Sequence, residues 1–214
     1  CKECIDGYYG YYFRNLYFTY HSFEIRTSLI DLNQIKKYVP PKEWREIQTI
    51  DAHTGGEPLR IIISGYPELK GKSILEKRKN AKENFDSFRK SLIWEPRGHA
   101  DMYGAIIVEP DSSDSHFGVI FVHNEGYSTG CGHAVIALTK VFVEAGLIPM
   151  NEPETEVRMD VPSGFIRSFA KIENGKVVSV RFKNVPSFVQ KLNAEVNITR
   201  LGKIKYDLAF GGAF

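Results

Sequence analysis

The sequence predicts an α+β domain of mixed topology, in which mostly short strands surround one buried helix. Three observations point to this class: an almost wholly apolar helical stretch over about 131–145, short apolar runs typical of strands around it, and Asn174-Gly175 between two such runs. A helix that is apolar nearly all round must be buried in a core rather than laid on a surface. Asn-Gly between two strands is the strongest short-range signal for a hairpin.

The first 46 residues are poorly patterned and predict an N-terminal extension that ends near Pro40-Pro41. After it, the predicted strands at 47–52 and 59–63 flank a Gly-Gly turn, across which Glu57 and Arg60 could pair. Both residues, together with Arg97 and Asp101, are expected to shape the walls of a cleft rather than to do chemistry. Ser73-Ile74-Leu75-Glu76 has the form of a capping box and predicts one helix that carries Ala81, Phe85, Phe88 and Leu92 on its apolar face. The remaining predicted elements are strands at 103–108 and 117–122, the apolar helix closed by Gly146, a hairpin over 167–182, and a strand at 203–210.

Bulk composition excludes several classes of function. The 214 residues, 43% of them hydrophobic, suffice for one large domain or two small ones. Lys+Arg at 28 against Asp+Glu at 26 gives a net charge of +2, which carries no argument for nucleic-acid binding. No apolar run reaches the roughly 20 residues that cross a bilayer, and no signal-peptide pattern opens the sequence. We therefore expect a cytoplasmic protein without membrane contact.

The three cysteines do not form a disulfide framework, which agrees with a reducing compartment. Cys1 and Cys4 make a C-x-x-C pair that we interpret as incidental, with a dithiol oxidoreductase as the weak alternative. The first residue is Cys rather than Met, and the last six residues stop partway through a strand and turn. These ends predict a fragment of a longer protein.

Cys131 stands where a Gly-rich polar loop turns into the apolar helix. The start of a helix offers unpaired backbone N–H groups and about half a positive charge, which lowers the pKa of a thiol from about 8.5 toward about 3.5–7.5. The N–H groups of Gly132 and His133 could also hold a carboxylate. Two interpretations of Cys131 stay open, a reactive thiol or a small buried hydrophobe. His133 is either an orienting group or a satisfied core histidine.

The polar residues of the sequence also allow two other chemistries. His53, His99, His123 and Cys131 could supply zinc ligands, but they are scattered without the spacing of ligand pairs, so no metal is predicted. A Cys–His hydrolase is possible. The glycines on both sides of Cys131 favour close approach of the backbone to a small ligand over a protease groove.

Four motifs together resemble the proline racemase superfamily. Within this superfamily the resemblance is strongest to the trans-3-hydroxy-L-proline dehydratase branch. The resemblance covers about 47–214 and implies a diaminopimelate-epimerase-like fold, with two pseudo-symmetric lobes that each wrap a sheet around a central helix. Residues 47–195 would then form the N-terminal catalytic lobe, and 196–214 would begin a second, truncated lobe. The motifs are HTGGEPLR (53–60), EPRGHADMYGA (95–105), HNEGYSTGCGHAVIAL (123–138) and DLAFGGAF (207–214).

The resemblance implies that Cys131 removes the Cα proton of a proline-type amino acid, whose carboxylate Gly132 and His133 bind. Loss of the 3-hydroxyl of trans-3-hydroxy-L-proline would then give pyrroline-2-carboxylate, without a metal, pyridoxal phosphate or nicotinamide. In the family the residue opposite this cysteine is Thr in dehydratases and Cys in racemases and epimerases, and it would lie beyond Phe214. A proline racemase or hydroxyproline 2-epimerase and a catalytically inactive half-enzyme are the alternatives, and a homodimer is possible. Gly130 stands where the family usually has a bulkier residue such as Met.

Overall fold

The computed structural model describes residues 11–12, 33 and 36–213. The Cys1/Cys4 pair and most of the predicted extension lie outside the described residues. The elements in chain order are β1 Tyr11–Tyr12, β2 Arg45–Glu46, β3 Gln48–Thr54, β4 Glu57–Ser64, α1 Ile74–Asn84, α2 Asp86–Ile93, β5 Tyr103–Val108, β6 Phe117–His123, β7 Gly126–Ser128, α3 Gly132–Glu144, β8 Glu154–Val161, β9 Gly164–Glu173, β10 Lys176–Lys183, β11 Phe188–Ile198 and β12 Gly202–Phe210.

One mixed sheet of eight strands organises the molecule, in the order β10-β9-β8-β6-β5-β4-β3, with β7 paired to β6. Most neighbours are antiparallel, but β4 runs parallel to β5 and β6 runs parallel to β8. Parallel neighbours need a crossover connection, and the helices supply it: α1 and α2 lie between β4 and β5 in the chain, and α3 lies between β7 and β8. The predicted α+β class is confirmed.

The sheet curves around α3. This helix contacts both β10 and β3, which lie at opposite ends of the strand order, as well as β9, β4 and β5. Ala134, Val135 and Leu138 of the helix are fully buried, in one cluster with side chains of the surrounding strands such as Phe121 and Met159. Each buried aliphatic or aromatic side chain contributes roughly 1.5–3 kcal/mol. The predicted burial of the apolar helix is therefore confirmed, and its position is set by the whole sheet.

Both ends of α3 follow from local sequence. Cys131 is the N-cap residue, with an extended backbone at φ −153°. At the other end Gly146 has φ +71°, a conformation that costs glycine little because it has no Cβ. The N–H of Leu147 donates to the carbonyl of Phe142, and that of Gly146 donates to the carbonyl of Val143. This is a Schellman closure, and the predicted stop at Gly146 is confirmed.

The predicted single helix after Ser73 is wrong in one respect, because the structure divides it into α1 and α2 at Phe85. Both helices contact β6 and pack on the face of the sheet away from α3, over a second apolar cluster. A straight helix of 20 residues would be about 30 Å long, whereas the seven residues of β6 span about 23 Å. With the break at Phe85, both helices contact β6.

The capping box is confirmed in part. The N–H of Glu76 donates to Ser73 Oγ at 3.2 Å, so Ser73 is the N-cap of α1. The Glu76 carboxylate accepts from the backbone N–H of Lys72 at 2.6 Å, one residue before the position that the motif predicts. The start of the helix is thus stabilised from both sides, and the predicted N-terminus is correct.

The hairpin around Asn174-Gly175 is confirmed, with φ of +54° and +70° at these residues, as a two-residue type I′ turn requires. The predicted strand at 103–108 matches β5, and that at 203–210 matches β12 to within one residue. β7, β8 and β11 were not predicted. β11 and β12 pair only with each other, as a two-stranded ribbon that is separate from the main sheet. The predicted lobe boundary at 195/196 falls inside β11 and stays a prediction.

Arg60 joins three separate segments. Only 7% of this β4 residue is exposed. Its Nε and Nη2 donate to the two carboxylate oxygens of Asp51, each at 2.8 Å. Its Nη1 donates to the carbonyls of Leu92 at 2.7 Å and Arg97 at 2.8 Å. The predicted pairing with Glu57 is wrong: residues three apart on a strand point to opposite faces, whereas Asp51 lies directly across from Arg60 in the ladder.

We expect Arg60→Met to lower the free energy of unfolding by about 3 kcal/mol, because it removes a buried guanidinium that donates to the Asp51 carboxylate and to two backbone carbonyls. Urea denaturation measures the change. Arg167→Met is the matched control, since Arg167 pairs with Glu156 at 2.7 Å on the exposed surface, where such a pair contributes about 0–1 kcal/mol. Equal losses in the two variants would contradict the role assigned to Arg60.

Candidate active site at the start of α3

The thiol of Cys131 lies half-buried at the N-terminus of α3, beside the imidazole of His133. Its Sγ is 3.5 Å from Nδ1 and 3.6 Å from Nε2 of that ring. The ring of Tyr103 meets the His133 ring edge-on, with 4.8 Å between the ring centroids. The predicted position of the thiol at a helix start is confirmed, and a titratable ring lies in direct contact with it.

The predicted acidity of the thiol is wrong for this chain. Burial raises the pKa of Cys131 to about 11, and the Glu57 carboxylate acts in the same direction. The backbone N–H of Ala134, in the first turn of the helix, lowers the pKa but does not compensate for burial. At neutral pH Cys131 is therefore a protonated thiol.

His133 is also uncharged at neutral pH. Burial lowers the pKa of its imidazole, and this outweighs the Glu57 carboxylate and a hydrogen bond to the backbone of Pro58, which both raise it. The backbone of His133 is held separately, because Thr54 Oγ1 donates to its carbonyl at 2.9 Å. Since Thr54 ends β3, the Gly-rich turn between β3 and β4 is tied to the first turn of the helix.

A carboxylate could bind next to the thiol. Gly132 and His133 are the first two residues of α3, so helix geometry leaves their N–H groups without a partner inside the helix. Gly132 is exposed, and a Cβ at this position would lie 3.3 Å from Cζ of Phe182. A side chain here would crowd that ring, so glycine keeps this approach open. Carboxylate binding by these two residues stays a prediction.

A small cavity of about 90 Å³ opens at Cys131. Its wall includes the segment 211–213, which follows β12 and returns to the start of α3. Thr129 Oγ1 donates to the carbonyls of Gly212 and Ala213 at 2.9 and 3.1 Å. The lining residues are Gly130, Cys131, Gly132, Val135, Ile166, Phe182, Asn184, Gly211 and Ala213. Thr129, Phe182 and Asn184 were not predicted as site residues, although Thr129 lies within the cysteine motif.

A larger cavity of about 730 Å³ lies on the other side of the 128–129 loop, and it brings two of the predicted polar motifs together. Asp101 and Tyr103 come from one motif, and His123 and Glu125 come from the other. The side-chain amide of Asn124 bridges them by donating to the carbonyl of His99 at 3.0 Å. The expectation that Asp101 shapes a cleft agrees with this position.

Across residues 36–213, no three His, Cys, Asp or Glu side chains are grouped so that they could hold a metal ion. Likewise, none of the helices described is both long and apolar enough to cross a membrane.

Comparison with known proteins gives a consistent result. The family model described as "Proline racemase" matches residues 49–214. A trans-3-hydroxy-L-proline dehydratase of Colwellia psychrerythraea is 47% identical over 190 residues, which are 89% of this chain and 54% of that protein. A protein of Burkholderia multivorans named 3-hydroxyproline 2-epimerase is 48% identical over 79% of this chain and 51% of its own length. The chain thus spans about half the length of these relatives.

Among solved structures, a hydroxyproline epimerase from Agrobacterium vitis with bound trans-4-hydroxy-L-proline is similar, with a TM-score of 0.68 and 28% identity. The match covers 78% of this chain and 49% of that one. The fold described above is therefore shared with an enzyme of known structure.

Alkylation of Cys131 by iodoacetamide, followed on the peptide that contains it, tests the electrostatics of the site. Only the thiolate reacts, so we expect the rate to rise with pH and to reach half its limit near pH 11. Glu57→Gln should move this midpoint to lower pH, because a neutral amide no longer opposes the thiolate. Glu68→Gln, an exposed residue that does not act on the thiol pKa, is the control. A midpoint below pH 8.5 in the unmodified chain would contradict burial as the dominant effect.

Proposed function

The chain belongs to the proline racemase family, and we propose that the protein of which it is a part dehydrates trans-3-hydroxy-L-proline to pyrroline-2-carboxylate without a cofactor. The observation that carries this proposal is the meeting of one thiol and two helix N–H groups at the start of α3. This places a potential base beside an anion site, as removal of a Cα proton next to a carboxylate requires. The 47% identity to a dehydratase over 89% of the chain supports the choice of reaction.

In the proposed complex the substrate carboxylate accepts hydrogen bonds from the N–H groups of Gly132 and His133. The positive end of the helix favours this anion. Gly130, Gly132 and Gly211 line the cavity and leave room for a compact ring beside the thiol. The Cα–H of the substrate would then face Cys131 Sγ.

In the proposed reaction the ionised fraction of Cys131 is the base, and its thiolate takes the Cα proton onto Sγ. The negative charge that develops on the carboxylate is stabilised by the same two N–H groups, as in an oxyanion hole. The electron pair of the broken C–H bond forms a double bond between C2 and C3, and the C3–O bond breaks. The departing hydroxide takes up, in net terms, the proton that Cys131 removed from Cα, so that water leaves and the thiolate is regenerated. The resulting Δ2-pyrroline-2-carboxylate tautomerises to the Δ1 imine.

The described part of the chain supplies one side of such a site. We propose that residues 47–195 form the N-terminal catalytic lobe and that a second lobe, beginning near 196–214, provides the group opposite Cys131. The β11–β12 ribbon supports this division, because it carries large apolar side chains at high exposure, including Val189 at 56% and Leu192 at 65%. Such a surface favours packing against further protein. Without that lobe, the chain would be the inactive half-enzyme of the alternative hypothesis.

The second candidate function is 2-epimerisation or racemisation at Cα. It is favoured by the Burkholderia multivorans relative, which is named an epimerase at 48% identity. Both reactions begin with the same proton removal, so the lobe described here is compatible with either. The resemblance implies that the opposing residue distinguishes them, with Cys returning a proton in epimerases and Thr standing there in dehydratases.

Incubation of the full-length protein with trans-3-hydroxy-L-proline in D₂O distinguishes the two functions. A dehydratase yields the cyclic imine, which borohydride reduces to proline. An epimerase yields 3-hydroxyproline that carries deuterium at Cα. We expect the imine. Deuterated hydroxyproline without imine would contradict dehydration and support 2-epimerisation.

We expect Cys131→Ser to reduce kcat about 10²–10⁴-fold, since a hydroxyl is a far weaker base than a thiolate at the same pH. The coupled imine assay measures this loss. Cys1→Ser and Cys4→Ser make the same chemical change outside the described residues and should leave kcat unchanged. Full turnover by Cys131→Ser would remove Cys131 from the mechanism.

A further inference from the structure

We propose that Thr129 is a positioning residue that holds the segment 211–213 against the start of α3 and so closes one side of the Cys131 cavity. Thr129 itself does not line this cavity. Its effect on catalysis rests on the proposed function, whereas its effect on access to the thiol does not.

Thr129 lies two residues before Cys131, in the loop between β7 and α3. Its hydroxyl hydrogen is shared between the carbonyl of Gly212 at 2.9 Å and that of Ala213 at 3.1 Å. Its own carbonyl accepts from the N–H of Ser163 at 3.0 Å, in the turn between β8 and β9. One residue thus ties together three segments that are far apart in sequence.

The segment that Thr129 holds has a tightly constrained path. Gly212 has φ +105°, which favours glycine, and a Cβ there would lie 3.1 Å from Val185 Cγ2 and 3.2 Å from Asn184 Nδ2. Asn184 Nδ2 also donates to the carbonyl of Gly211 at 3.2 Å. The side chains of Thr129 and Asn184 therefore bind the carbonyls of all three residues of the segment.

The held segment forms part of the site. Gly211 and Ala213 line the same cavity as the Cys131 thiol. The loop lies close to the segment at Gly130, where a Cβ would be in ordinary van der Waals contact, 3.5 Å from the carbonyl carbon of Gly212 and 3.6 Å from the N of Ala213. Movement of this segment away from the loop would widen the cavity and let water reach Sγ.

The energy of the hydrogen bond explains why its loss should open the segment and leave the fold intact. A neutral hydrogen bond contributes about 1 kcal/mol, or about a fivefold change in an equilibrium between two states. The core of the domain rests on α3 and the eight-stranded sheet, in which Thr129 has no part. The segment 211–213 follows the last strand and has no place in a sheet ladder, so side-chain bonds are a large share of what holds it.

The test compares Thr129→Val, which keeps the shape and removes the hydroxyl, with Thr129→Ser, which keeps the hydroxyl. The control is Thr199→Val, the same change at an exposed residue of the β11–β12 turn. Alkylation of Cys131 by iodoacetamide at pH 8 should be about fivefold faster in Thr129→Val than in the unmodified chain. Thr129→Ser and Thr199→Val should react at the unmodified rate. The pH midpoint of alkylation should also fall in Thr129→Val, because a wetter thiol ionises more readily.

Asn184→Leu provides a second variant, since it removes the other tie on the segment, and it should accelerate alkylation in the same direction. It decides the outcome if Thr129→Val does not fold, as judged by thermal unfolding. Unchanged alkylation in the folded variants, or equal acceleration in Thr129→Ser and Thr129→Val, would overturn the proposal.

In the full-length protein we expect Thr129→Val to raise KM for trans-3-hydroxy-L-proline more than it lowers kcat, because the variant loosens a wall of the cavity and leaves Cys131 in place. Thr129→Ser should restore KM. If the variants change the alkylation rate as expected but the full-length protein does not dehydrate this substrate, the proposed function is contradicted. The positioning role of Thr129 would still be supported.

Discussion

Burial of α3 inside the curved eight-stranded sheet is the constraint on which the rest of the structure depends. The helix contacts strands from both ends of the sheet, so it cannot shift without disrupting the main core. Its N-terminus, where Cys131, Gly132 and His133 lie, is therefore held in a defined position. The hydrogen bond from Thr54 to the carbonyl of His133 joins this helix start to the turn between β3 and β4.

The same burial sets the electrostatics of the site. The field at the start of a helix favours a thiolate, but removing the thiol from water disfavours it by more, and the pKa of Cys131 rises to about 11. His133 is driven to its neutral form for the same reason. The two groups that touch at the helix start are thus both uncharged at neutral pH. The N-terminus of α3 therefore favours binding of an anion such as a carboxylate. It does not by itself ionise the Cys131 thiol.

Much of the fold could be predicted because its signals are local. The type I′ turn at Asn174-Gly175, the N-cap at Ser73 and the stop at Gly146 each depend on a few neighbouring residues and were predicted correctly. β8 was missed although Thr155, Val157 and Met159 alternate as buried residues along it, a period of two that a strand search could have detected. The break between α1 and α2 could not be found in this way, because neither Pro nor Gly stands near Phe85.

By itself the sequence determined that an apolar helix would be buried and that Cys131, with two unpaired N–H groups beside it, would stand at its start. Helix caps, the spacing of apolar residues and the backbone conformations of glycine depend on only a few neighbouring residues. These features can therefore be derived before any fold is known. Only the tertiary structure decided that Arg60 pairs with Asp51, that Thr129 holds the segment after β12, and that the thiol is harder to ionise than a free one. Each of these depends on groups far apart in sequence and on how much water the assembled fold excludes.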